Sequence, residues 1–410
     1  MNDIQVAELL RLEYSKHKEK IELIASENFI SSDVLQALSS ITANKLAEGY
    51  CRKRFNTGCE YVDQIEELGI QRLKELFNCE YANIQPHSGS QANQAVFLGL
   101  LKPGDTFLAM SMDSGGHLTH GLQSNLSGKW FNPIHYSVDK KTKLLDYNVI
   151  EDLAKKYKPK LIITGHSSYS RFIDYQKVRE IANKVSAFFL ADIAHTAGII
   201  AAGQETNPIY YADVVTSTTH KTIRGPRGGM MMSNNPDLFK ILDSSLFPGI
   251  QSAVLLNVIT AKTITFGEAL QDSFKNYIDN VLKNAKALAK TLISRGYSIL
   301  TGNTENHIVV VDLSNKGING KEASERLDLA GISSNKQSIP FDKNSPILTS
   351  GLRFGSPACT TRGMKEPEFI KIANLIADVL DEFIENKDIN KALEKTKVEV
   401  RQLATQFTIF

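Results

Sequence analysis

Five short apolar runs, at 105–110, 160–164, 187–191, 213–217 and 229–233, punctuate the middle of the chain, and stretches of helical periodicity such as 175–185 lie between several of them. Strands separated by helices are joined by crossovers rather than tight hairpins, and crossovers build a mostly parallel sheet covered on both faces. The expected fold class is therefore α/β. From about Leu270 the pattern changes: a long helix ends near Arg295-Gly296, short strands follow at 297–300 and 307–313, and helices follow at 320–330 and from Glu366 onward. Three parts are predicted: an N-terminal helical arm (1–20), a large domain (21–270) and a smaller C-terminal α/β domain (271–410). The arm carries Leu9, Leu10 and Leu12 on a charged stretch, which suits a grip on a second subunit or a plain surface helix.

Charge and cysteine usage restrict the partners. The formal net charge of the 410 residues is +2, which gives no electrostatic reason to expect nucleic acid or an anionic membrane surface. No stretch approaches the roughly 18 apolar residues of a membrane span, and the N-terminus does not read as a signal peptide. Cys51, Cys59, Cys79 and Cys359 have no metal-ligand spacing and read as reduced thiols of a cytoplasmic protein.

The chemistry concentrates where the apolar runs end. The run at 213–217 leads into Thr218-Thr219-His220-Lys221-Thr222, and the run at 187–191 ends on Asp192, with His195 three residues on. A lysine among hydroxyls and a histidine is placed to form a Schiff base, and an aspartate about thirty residues earlier can hold a pyridinium nitrogen. Those are the two protein groups that pyridoxal phosphate needs most. Ser88-Gly89-Ser90, opening an apolar helix, offers hydroxyls and backbone N–H groups for a phosphate, although serine is also an ordinary helix cap. Gly115-Gly116-His117 can present a flat ring for stacking. A metal at His117 and His120 is disfavoured because no carboxylate or third histidine is expected nearby. Asp192 and His195 also fit a metal pair, a hydrolase fragment or a capped strand end, and Lys221 also fits a surface lysine. Arg353, which follows a turn and opens a strand, suits a substrate carboxylate or a structural salt bridge.

Taken together these residues resemble the serine hydroxymethyltransferase family. Ile21-Glu22-Leu23-Ile24-Ala25-Ser26-Glu27-Asn28 and the segments 85–93, 115–121, 191–198 and 218–229 match its motifs, and the likeness runs over nearly the whole chain. The resemblance implies the aspartate aminotransferase-like fold of fold-type I pyridoxal phosphate enzymes. It implies cleavage of the serine Cα–Cβ bond to give glycine, with the one-carbon unit passed to tetrahydrofolate. It implies a homodimer with shared active sites, or a tetramer built from it. By the same resemblance Lys221 binds the cofactor covalently, Asp192 faces its ring nitrogen and His117 stacks on the ring. His195, with Ser167 and Thr218, lies on the ring-hydroxyl side, and Ser88, Gly89 and Ser90 hold the phosphate. Arg353 and Ser26 take the substrate carboxylate, and Glu48 is the acid at the scissile hydroxyl, contributed across the dimer interface. The implied catalytic set is Lys221, Glu48, His220 and His195, with no metal.

Several positions depart from the family pattern. Leu46 and Asn56 stand where tyrosines are usual. Ile250, Ser252 and Ala253 interrupt a run of glycines, Gln337 replaces an asparagine that meets the pterin, and His166 replaces a small or apolar residue. Two other readings follow from these departures. One is a folate-independent aldolase or threonine transaldolase acting on β-hydroxy-α-amino acids. The other is a pyridoxal phosphate-binding protein with little catalysis.

Overall fold

The apolar runs become strands because each is short, unbroken and bounded by turns. In the computed structural model, which describes residues 2–385 and 389–409, seven strands form one sheet: β1 (Tyr81–Asn83), β2 (Thr106–Met110), β3 (Asn132–Tyr136), β4 (Leu161–Thr164), β5 (Phe188–Asp192), β6 (Val214–Thr218) and β7 (Gly229–Ser233). Their spatial order is β1-β7-β6-β5-β4-β2-β3. Every neighbouring pair from β6 to β3 is parallel, whereas β7 runs antiparallel to both β6 and β1. The expected mostly parallel sheet is thus present. The weakly apolar β1 and β3 join it without having been anticipated from their sequence.

The chain divides into two units, Ile30–Ile278 and Met1–Phe29 with Asp279–Phe410. The sequence-based boundaries placed 21–29 with the large domain and began the small one at 271. Residues 21–29 instead go with the C-terminal unit, because Ile21–Glu22 pairs in parallel with Ile332–Ser333.

In the large unit, the helix Tyr175–Val185 shows how local sequence sets an element. Asp174 caps it by accepting from the Lys177 N–H at 3.0 Å, and Tyr175, Val178, Ile181 and Ala182 are buried along one face. Ser186, at φ 55°, ends it. The helix Glu60–Phe77 buries Val62, Glu66, Gly69, Leu73 and Phe77 on one stripe. A Cβ on Gly69 would collide with Thr263 Oγ1 of the helix Leu256–Ala269, so that glycine sets how closely the two helices approach. Glu66 is a charge inside this stripe. It accepts from Gln85 Nε2 at 2.7 Å and from the buried Arg54, whose Nε also meets Asp63 at 2.9 Å. Lys262 is likewise buried, its Nζ donating to the carbonyls of Ile84 (2.7 Å), Pro86 (3.0 Å) and Gly229 (2.9 Å).

The smaller unit has an antiparallel sheet ordered Ser298–Ile299, Ile308–Asp312, Gly351–Gly355, Asn335–Gln337. Its core joins Ile21 and Leu23 to Leu288, Val309, Phe354, Phe369 and Leu380. Arg353 lies at the centre of its strand rather than at its start. Arg362 gathers carbonyls from both ends of the chain: Lys20 (2.8 Å), Lys18 (3.0 Å) and His17 (3.3 Å) from one, Ala404 (2.5 Å) and Phe407 (3.2 Å) from the other. Glu22 is buried here. Burial first, and the nearby Glu27 second, push its carboxyl up to about 7.

Candidate active site

Ligands of open α/β sheets bind beyond the carboxyl ends of the strands. In the large unit β4, β5 and β6 end close together, with Thr164 opposite Ala191 and Asp192 opposite Thr216. Ser167 follows β4, Asp192 closes β5 with His195 beyond it, and Thr218 closes β6 with His220 and Lys221 beyond it. The segment after β2 carries His117 and His120. Lys221 is 7% exposed, which sets aside its reading as a surface lysine. Thr222 Oγ1 donates to the His195 carbonyl (2.8 Å), and Thr218 Oγ1 donates to the Ala194 carbonyl (3.3 Å), so the β5 and β6 exits are tied to each other.

Asp192 is the most constrained group of the site. Oδ2 accepts from Asn93 Nδ2 at 2.8 Å and meets His120 Nε2 at 3.0 Å, while Oδ1 accepts from the Ala194 N–H at 3.0 Å. Asn93 is held in turn, its amide reaching Thr119 Oγ1 (3.0 Å) and its oxygen accepting from Thr216 Oγ1 (2.7 Å). Burial alone would raise the Asp192 carboxyl. The His120 hydrogen bond and charge, with His117 and Asn93, outweigh it and keep the group ionised well below the usual carboxylate range. Asn93 and His120 were not among the residues assigned from sequence.

Contrary to expectation, His117 and His120 do have a carboxylate neighbour. Asp192 comes beside them, and one ligand atom from each of the three lies within 4.8 Å of the others. The sheet makes this juxtaposition, because β5 delivers the aspartate from far along the chain. Both Asp192 oxygens already accept hydrogen bonds, and His117 Nδ1 meets Thr119 Oγ1 at 2.7 Å. That favours a fixed, ionised acceptor over a metal ligand set.

Ser88 caps the helix Gly89–Leu100, its Oγ accepting from the Gln91 N–H at 3.2 Å. Ser88, Gly89 and Ser90 thus stand at a helix N-terminus, where backbone N–H groups and the helix dipole favour an anion. A Cβ on Gly89 would lie 2.6 Å from Thr218 Cγ2, so the gap between this turn and the end of β6 exists only with glycine. A buried lysine, an ionised and immobilised carboxylate and a helix N-terminus lined by hydroxyls form a donor set that fits pyridoxal phosphate.

Two histidines near Lys221, His220 and His166, are kept neutral. Burial, then the Lys221 and Arg227 charges, lower His220 to about 3. Burial, then Lys221, lower His166 to about 4. His166, a departure from the family pattern, lies near-parallel to the His195 ring with centroids 6.5 Å apart.

Glu48 precedes a short hairpin, Gly49–Tyr50 with Lys53–Arg54. Its N–H donates to Asn56 Oδ1 at 2.9 Å, and its carboxylate accepts from Ser252 Oγ. Ala253 offers its carbonyl to His87 Nε2 (3.1 Å), and Leu46 is exposed. A cavity of about 360 Å³ opens beside this hairpin, lined by Tyr50, Lys53, Phe55, Lys240, Asp243 and Phe247 among others.

Ser26, Arg353 and Gln337 belong to the smaller unit. Arg353 Nη2 donates to Asn335 Oδ1 at 2.6 Å, and burial lowers the guanidinium to about 10. Gln337 Nε2 donates to the Ser338 carbonyl at 3.0 Å.

The sequence model of the family described as serine hydroxymethyltransferase matches residues 1–376. Proteins named serine hydroxymethyltransferase from Rickettsia canadensis (strain McKiel) and Rickettsia akari (strain Hartford) are 57% and 55% identical to this chain over 408 residues, covering 100% of it and 97% of each relative. The protein of that name from Rickettsia felis (strain ATCC VR-1525 / URRWXCal2) is 56% identical over the same span.

Proposed function

This chain belongs to the serine hydroxymethyltransferase family, and we propose that it interconverts serine and glycine, passing the one-carbon unit to tetrahydrofolate. Its architecture is mixed α/β with a large, mostly parallel sheet. Within the proposal it is the fold-type I arrangement, working in the cytoplasm as a homodimer. The observation that carries the reading is buried Lys221 at the end of β6 beside Asp192 on β5, which is held ionised by Asn93 and His120. Nothing in the site favours the folate-independent or the non-catalytic reading.

Bound at this site, pyridoxal phosphate supplies an electron sink for breaking the substrate Cα–Cβ bond. Lys221 offers the amine for covalent attachment. Asp192, ionised and immobile, keeps a proton on the ring nitrogen. Ser88, Gly89 and Ser90 bind the phosphate, and His117 stacks on the ring. His195, Ser167 and Thr218 orient the ring-hydroxyl side. His220, neutral beside Lys221, completes the catalytic set. Ser26 and Arg353 take the substrate carboxylate; a guanidinium already lowered by burial gains most from an anionic partner. Glu48 moves the proton at the substrate β-oxygen.

The test is incubation of the purified protein with pyridoxal phosphate, serine and tetrahydrofolate, following glycine and methylenetetrahydrofolate. Formation of both, with loss of borohydride-trapped cofactor in Lys221→Ala, is expected. Serine cleavage at the same rate without folate, or cofactor trapped equally well in Lys221→Ala, overturns the proposal.

A further inference from the structure

Glu48 is fixed at more points than a surface loop residue needs. The preceding Ala47 carbonyl accepts from the Val254 N–H at 3.1 Å, which ties it to the 250–254 loop. Its own carbonyl accepts from the Phe55 N–H at 3.1 Å, closing the hairpin. The Gly49 carbonyl accepts from Gln85 Nε2 at 3.1 Å and from Arg54. These backbone contacts set where the Glu48 side chain begins. Two side chains complete the set: Asn56 Oδ1 takes the Glu48 backbone N–H, and Ser252 Oγ donates to Oε1, which sets where the side chain ends.

We infer that Asn56 and Ser252 are positioning residues for the Glu48 carboxylate, acting together as a clamp on its backbone and on one of its oxygens. The inference rests on the proposed role of Glu48 as the acid at the scissile hydroxyl. Both residues occupy positions where this chain departs from the family pattern, a tyrosine at one and a glycine at the other. Neither of those residues can make the contact seen here: glycine has no hydroxyl to donate, and tyrosine has no short carbonyl to offer a neighbouring N–H. An aspartate at 56 could accept the same N–H, but would set a second negative charge near the carboxylate. With Oε1 engaged by Ser252, Oε2 is left for the substrate. Clamp and carboxylate come from one chain, so the arrangement travels intact to whichever active site Glu48 serves.

The decisive experiment is a double-mutant cycle in the holoenzyme. Ser252→Ala is expected to lower kcat for serine cleavage about ten-fold, the size of one hydrogen bond to a charged group, with KM for serine within about two-fold. Ser252→Thr, which restores a hydroxyl, is expected to recover kcat to within about three-fold of the parent. In a Glu48→Gln background Ser252→Ala is expected to add nothing, because it acts through the carboxylate. A second readout uses the cofactor-free protein: Asn56→Ala should speed amide hydrogen exchange at Glu48 about ten-fold or more, as loss of its acceptor requires. Full activity of Glu48→Gln overturns the role of Glu48 itself. An impaired Glu48→Gln to which Ser252→Ala adds its whole effect overturns the clamp alone, as does unchanged exchange at Glu48 in Asn56→Ala.

Discussion

Replacing Lys262 with methionine separates two opposing terms that the structure sets side by side. The ammonium is buried, which lowers it to about 7 even though the Glu66 charge favours protonation. An unfolded lysine titrates near 10.4. Below pH 7 both states carry the proton, and the folded state bears the full cost of the buried charge, about 5 kcal/mol for such a shift. Between pH 7 and 10.4 the unfolded chain binds more protons than the folded one, so stability rises with pH by about 1.4 kcal/mol per unit. Methionine removes that cost but orphans the carbonyls of Ile84, Pro86 and Gly229, at about 1–3 kcal/mol each. Near pH 7 the two terms nearly cancel, so a single melting temperature says little. The discriminating quantity is the gap between parent and Lys262→Met, in which all other titrations drop out. Urea unfolding of the cofactor-free proteins at pH 7.5 and 9.5 should show the parent gaining about 2.5 kcal/mol on the variant. A gap constant to within about 0.5 kcal/mol would mean that the three carbonyls keep the ammonium charged throughout, and would refute the reasoning.

Gly89→Ala should weaken pyridoxal phosphate binding about ten-fold, since the new Cβ meets Thr218 Cγ2 at 2.6 Å where the turn proposed to hold the phosphate faces β6. Absorbance titration of the cofactor measures this, and an unchanged Kd would show that the gap does not shape the cradle. Glu22→Gln should behave oppositely to the lysine. A carboxyl raised to about 7 by burial, against about 4.3 unfolded, makes the folded state the stronger proton binder between those values. The parent therefore loses stability as pH rises through that window, and the variant should gain about 2 kcal/mol on it between pH 5 and 7 by urea unfolding. Parallel curves would sink the assignment.

The strand ends were legible because short apolar runs followed by polar residues leave few options. Lys221, Asp192, Thr218 and His195 all fall at those exits. What joins them was not legible. Asn93 and His120 reach Asp192 across 99 and 72 residues of sequence, and only the strand order brings them together. A reader of the chain could have noted Asn93, a polar residue one turn into an apolar helix, as needing a buried partner. Arg54, Glu66 and Lys262 mislead in the other direction. Charges read as solvent-facing, yet these three are interior, each compensated by groups distant in sequence. The placement of 21–29 failed for the same reason: a two-residue strand has no periodicity to detect, and its partner lies about 310 residues away.

That last pairing has a consequence for synthesis. Ile21–Glu22 cannot meet Ile332–Ser333, nor can Arg362 collect the carbonyls of residues 17–20 and 404–407, until nearly the whole chain has been made. At 5–20 residues per second the N-terminal segment waits about 15–60 s after it emerges. The segment Ile30–Ile278, with its own core, emerges complete in the meantime. The smaller unit therefore finishes last, its beginning and its end held by one guanidinium. Removing residues 404–410, and with them the Ala404 and Phe407 carbonyls that Arg362 meets, should delay or prevent that closure.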